Sequence, residues 1–120
     1  MSTLSAFILS RVLLALAFVG PGAAHFIESL KQRHHAAAVV GAVEVSAGLG
    51  MMFGWQVRWL ALAAAVFLLV DAFVAHAFWN AVPQDQRNQL LHFFKNLALV
   101  GAFIMLGAAH GPAASAVPNP

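Results

Sequence analysis

Four apolar stretches, each close to the length that crosses a bilayer, fill most of this chain of 120 residues. They run from Ser5 to Ile27, Ala36 to Gly54, Val57 to Trp79 and Leu90 to Ala109. A hydrocarbon core of roughly 30 Å takes about 20 apolar residues as a helix, so each stretch is predicted to span once. Gly54-Trp55-Gln56 is a very short connection, which makes the second and third helices antiparallel neighbours. The expected fold class is all-α: an integral membrane four-helix bundle, up-down-up-down, over residues 1–109. Residues 110–120 are uncharged and rich in Pro and Ala, and read as a disordered tail.

Composition argues against a water-soluble domain. Charged residues make up 8% of the chain and hydrophobic ones 62%, whereas a soluble domain carries about 25% charged residues. A chain this short cannot hide so much apolar surface from water, so the lipid bilayer is its first expected partner. There is no cysteine, which excludes disulfides, thiol redox chemistry and Cys-ligated iron–sulfur clusters. The formal charge of +2 comes with no basic run, so nucleic acid is not an expected partner.

The first stretch is read as a span rather than a signal peptide. A signal peptide carries its positive charge before the apolar run, whereas Arg11 lies inside this one. Pro21, between Gly20 and Gly22, is expected to kink the helix or end it early. The first loop, Glu28 to His35, holds Lys31, Arg33 and a His34-His35 pair and reads as a solvated connector. In the second stretch, Ala37 with Gly41 and Gly50 with Gly54 have the spacing that lets helices approach closely in lipid. Trp55 and Trp59 are expected at one membrane interface and Trp79 at the other. The third loop is expected to run from Asn80 to Gln89. Lys31, Arg33 and Arg87 fall on the side of loops one and three, with Lys95 nearby, so the positive-inside bias favours placing those loops in the cytoplasm.

Ionisable side chains inside spans are costly and mark functional sites. The segment Phe67 to Leu106 holds Asp71, His76, His92 and Lys95, and Glu44 lies near the middle of the second stretch. At about 1.5 Å per residue, Glu44 and Asp71 sit roughly 12 Å, and Lys95 roughly 8 Å, below the face formed by loops one and three. These three groups share a layer, with His76 and His92 nearer that face. Arg11 enters from the opposite face and is the more remote partner for Glu44. Two carboxylates and one ammonium in a dry layer cannot all be charged cheaply, so Lys95 is expected to pair with Glu44 or Asp71. The same layer also fits a salt bridge that only locks helices two, three and four.

His92, Lys95, Asn96 and Leu99 share one helical stripe, and Asn96 reads as an interhelical hydrogen bonder. Asp71 and His76 stand about 140° apart around a helix and are not expected to point the same way. No histidine pair shows compact HxxxH spacing, so neither a metal nor a haem site is expected.

The string His76-Ala77-Phe78-Trp79 and the run Gln89-Leu90-Leu91-His92-Phe93-Phe94-Lys95-Asn96-Leu97-Ala98-Leu99-Val100-Gly101 resemble the DoxX family of small bacterial membrane proteins. Arg11-Val12-Leu13-Leu14-Ala15-Leu16, with Phe18 and Gly22, looks like the family's first helix. Glu44, followed by Gly50, Gly54 and Arg58, looks like its second helix and turn. The resemblance covers about residues 8 to 108. Two positions depart from it: His25 stands where relatives often have Lys, and Asp71 where a neutral residue is more usual. The resemblance implies a multi-pass four-helix protein of the bacterial cytoplasmic (inner) membrane. Some members are similar to the small subunit of a thiosulfate:quinone oxidoreductase, and others are linked to membrane redox and oxidative-stress complexes.

Three functions are weighed on these residues. The first is an accessory, redox-linked subunit of a membrane oxidoreductase complex that contacts quinone, with Lys95 and His92 as donors and Glu44 as proton carrier. The second is a small proton-coupled transporter, which four helices would have to build as a homo-oligomer. The third is a non-catalytic membrane scaffold within a homo-oligomer or hetero-complex. An enzyme acting alone is not expected, because no nucleophile–base set, metal motif or nucleotide loop stands out.

Overall fold

The structure is a computed structural model that describes residues 1–110. The expected tail disorder therefore concerns residues outside those described, apart from His110, which caps the last helix. The chain is all-α, with four helices long and apolar enough to cross a membrane. They are α1 (Thr3–Lys31), α2 (His35–Phe53), α3 (Val57–Val74) and α4 (Pro83–Ala109). A 3₁₀ turn, Phe78–Asn80, precedes α4. Two compact units divide the chain, Met1–Leu60 and the part from Ala61 onward, with the boundary one turn into α3.

Burial departs from that of a water-soluble protein, because many large apolar side chains are exposed. Ala15, Ala38, Ala61, Ala64, Ala65 and Ala72 are buried, while Leu13, Val43, Val66, Val70 and Met105 are exposed. Phe18, Met51, Phe93 and Phe103 are buried beside the alanines; small residues at helix contacts with many large aliphatic side chains left outside is the pattern of helices packed in lipid.

In the first unit, Ser2 caps α1 by accepting the Ser5 amide at 3.0 Å. The helix runs through Pro21 to Lys31, so the early ending expected at Pro21 does not occur. In the α1–α2 connector the His34 amide donates to Ser29 O and the Arg33 amide to Leu30 O. This is a Schellman closure, with Arg33 at φ 56°, and it shortens the expected loop to a few residues. The α2 end repeats it: the Trp55 amide donates to Gly50 O and the Gly54 amide to Met51 O. Gly54 adopts φ 85°, a left-handed conformation that other residues enter at a cost. Gly54 is thus a helix cap rather than one end of a packing pair with Gly50.

The close approach lies elsewhere on α2. A β-carbon on Gly41 would sit 2.7 Å from the Phe26 amide nitrogen, and one on Gly48 would sit 3.0 Å from Ala15 O. Gly22 faces Glu44 and Val45. These pairs run in opposite order along the two helices, so α1 and α2 are antiparallel with their backbones nearly touching.

The second unit differs most from expectation. α3 ends at Val74, five residues before Trp79. The chain then folds back so that Phe78 and Trp79 pack on Phe93 of α4, with ring centroids 5.4 and 5.6 Å away. Phe73 adds a third edge contact to Phe93 at 5.2 Å. Each such aromatic pair contributes about 0.5–1.5 kcal/mol beyond area burial, which offsets the helical bonds given up after Val74. α4 starts at Pro83, not Leu90. Proline at a first helical position loses no intrahelical bond, and Asp85 in the first turn complements the helix dipole. The expected loop from Asn80 to Gln89 is therefore mostly helix.

Candidate functional site

The early end of α3 frees His76 from helical phase. Its Nε2 lies 3.4 Å from Asp71 Oδ2, although the two stand too far apart around a continuous helix to meet. On its other side, His76 Nδ1 lies 2.8 Å from Gln89 Oε1. With the amide oxygen on that side, the contact is a hydrogen bond donated by Nδ1 in the tautomer or imidazolium that carries a proton there.

Asp71 is held from α4. Asn96 Nδ2 donates to Asp71 Oδ2 at 2.9 Å and to the Leu68 carbonyl at 3.4 Å. Asn96 is buried, while Asp71 and His76 keep part of their side-chain surface open, 33 and 24%. The His76 ring stacks on His92 with centroids 5.1 Å apart. His92 Nδ1 in turn lies 3.1 Å from Lys95 Nζ. An ammonium can only donate, so His92 accepts through Nδ1 and keeps its Nε2 proton for another acceptor. Lys95 thus engages His92 and not Asp71, contrary to the expected acid–lysine pairing within this unit. The direction of the lysine accounts for this. Helical side chains lean toward the N-terminus, and a lysine stem extends toward the wet end of its helix.

The second unit therefore brings five expected residues together, Asp71, His76, His92, Lys95 and Asn96, and adds Gln89. Gln89 was masked in the sequence by its place in an apparent loop. The signals that could have found it are Pro83 and Asp85, which mark a helix start seven residues before the apolar run.

In the first unit, Glu44 is 14% exposed at its side chain and its Oε1 lies 3.9 Å from His25 Nδ1. Gly22 makes room for it: a β-carbon there would come within 2.9 Å of Glu44 Cβ. Arg11 is at the other end of the hairpin. Its guanidinium lies against Gly54, whose β-carbon would be 3.4 Å from Nη1, about 15 Å along α2 from Glu44. There its charge complements the carbonyl end of the α2 dipole. Among the described residues no three His, Cys, Asp or Glu side chains gather as metal ligands would.

Together the four spans and the polar cluster define a multi-pass integral membrane protein with ionisable groups set in its helices. The chain is similar to the inner membrane protein YphA of Escherichia coli (strain K12), at 30% identity over 79 residues, which cover 66% of this chain and 56% of that protein. The match spans little more than half the length of this relative. No protein-family model matches the chain, and no solved structure matches it. With its four apolar helices, the similarity makes it a multi-pass protein of the inner-membrane type.

Proposed function

We propose that the chain is a DoxX-type accessory subunit of a membrane oxidoreductase complex, contacting quinone at the His76–His92–Lys95 end of α3 and α4. The observation that carries this reading is the Lys95–His92 pair, 3.1 Å apart. Lys95 retains further N–H donors, and His92 retains Nε2–H. The N–H groups left on Lys95 suit a carbonyl oxygen of a quinone, Nε2–H on the far edge of the His92 ring can meet a second acceptor, and both strengthen as charge develops on reduction. Electrons would come from a partner subunit. Glu44, half-buried on α2, serves in this reading as a proton carrier. Its support is the residue resemblance to the DoxX family together with this donor geometry.

Photolabelling of native membranes with a photoreactive quinone analogue tests the reading. Adducts are expected in peptides spanning residues 76–95 and should be lost in Lys95→Met. Absence of any adduct on this segment overturns it.

A scaffold role without chemistry is favoured by one observation, the clamp of Asn96 on Asp71 and Leu68 O. Polar glue of this kind holds membrane helices together by about 1 kcal/mol per contact. The same photolabelling separates the two, since a scaffold gives no adduct.

A further inference from the structure

We propose that Asp71, His76 and Gln89 form a proton relay that joins a carboxyl group in the membrane span to the polar N-terminal turn of α4. The relay does not depend on quinone being the ligand. It rests on a bridged histidine, with Asp71 Oδ2 3.4 Å from Nε2 and Gln89 Oε1 2.8 Å from Nδ1.

Both end states of such a bridge are fully hydrogen-bonded. In one, Asp71 is a carboxylic acid whose O–H faces the Nε2 lone pair, and Nδ1–H donates to Gln89 Oε1. Transfer of the acid proton to Nε2 leaves a carboxylate beside an imidazolium. Release of the Nδ1 proton to water beside Gln89 then leaves a neutral ring that carries its proton on Nε2. The Gln89 amide rotates to present its NH₂ to the bare Nδ1, because an amide offers a donor and an acceptor from the same place. The net change is one proton moved from Asp71 to solvent, with no atom or electron unaccounted for, and the reverse order loads Asp71.

The surroundings suit this traffic. Asn96 donates to Asp71 Oδ2 and holds the carboxyl group in either state, since a protonated acid still accepts through that oxygen. The 3.4 Å separation closes to a proton-sharing distance of about 2.8 Å with a shift of roughly 0.6 Å, and active-site hydrogen bonds commonly tighten on use. His92 stacks on the ring and fixes its plane. Within the second unit, and among the described residues, the titratable and charged groups facing His76 are Asp71 from α3 and His92 from α4, with Lys95 behind His92. Gln89 lies one turn past Asp85 in the polar start of α4, which gives the outer end of the relay access to water.

Time-resolved infrared spectroscopy after photorelease of a caged proton tests the relay on the full chain in lipid nanodiscs. The Asp71 carboxyl band is assigned by its absence in Asp71→Asn. In the wild type this band is expected to rise after the acid jump. His76→Phe, which keeps the ring packing on His92, should slow that rise by at least roughly tenfold, and Gln89→Leu should slow it to a lesser degree. Far-UV circular dichroism of each variant confirms that the helices persist, and Gln89→Leu changes a residue outside the apolar run should His76→Phe fail to fold. A carboxyl band that never responds to bulk protons overturns the proposal. So does an unchanged rate in both variants.

Discussion

Position 41 has no room for a side chain. A β-carbon there meets the Phe26 backbone at 2.7 and 2.9 Å, and backbone in a helix cannot step aside as a flexible side chain can. Gly41→Ala is therefore expected to destabilise the α1–α2 hairpin by about 1–3 kcal/mol through overpacking. Gly101 provides the contrast, since nothing lies within 4 Å of a β-carbon added there. Gly101→Ala should be neutral or stabilise by up to about 1 kcal/mol from helix propensity. Unfolding of the two variants in the same detergent checks both; equal stabilities would mean that the backbones are not in contact at Phe26. Single residues of this kind were only partly legible. The four-residue spacing of Ala37 with Gly41 pointed to one true contact, but Gly50 with Gly54 had the same spacing and a different job. Spacing identifies which glycines share a face, not which face meets a neighbour.

At the scale of elements, the apolar runs placed α2 to within a residue but misjudged where α3 ends and α4 begins. Hydropathy reports where lipid contact starts and stops, and here the helices do not stop there. α3 breaks inside its apolar run because Phe78 and Trp79 gain Phe93 as a partner, a tertiary effect invisible to a local pattern. α4 begins seven residues before its apolar run because a solvated helical turn needs no apolar residues. These two displacements account for what was missed at the candidate site. The first turned His76 toward Asp71, and the second put Gln89 on a helix within reach of His76. Hydrogen exchange in nanodiscs checks the boundary. Amides from Gln86 to Gln89 lie beyond the first unsatisfied positions of α4 and should exchange at least about tenfold more slowly than an unstructured chain. Exchange at unstructured rates through Gln89 would return that segment to a loop and remove Gln89 from the site.

For the whole molecule, four spans require that the connectors alternate sides of the membrane. His34 in the α1–α2 connector and Gln84 at the start of α4 should lie on one side, and Gln56 in the α2–α3 connector on the other. The charge bias favours one assignment: Lys31, Arg33 and Arg87 accompany the first pair, against Arg58 beside Gln56 and Arg11 at Gly54, and positive charge is enriched on the cytoplasmic side. The chain has no cysteine, so single substitutions His34→Cys, Gln56→Cys and Gln84→Cys each give one reactive thiol without background. A membrane-impermeant maleimide applied to intact spheroplasts is expected to label position 56 alone, and inverted vesicles should label 34 and 84 alone. Labelling of 34 and 84 from opposite sides would mean that one apolar helix does not cross. Labelling of both from outside would keep the four spans and invert the orientation, so that the outer end of the Asp71–His76–Gln89 bridge opens to the periplasm. The orientation thus decides which compartment would exchange protons with Asp71. It also decides on which side a redox partner would have to dock to reach Lys95 and His92.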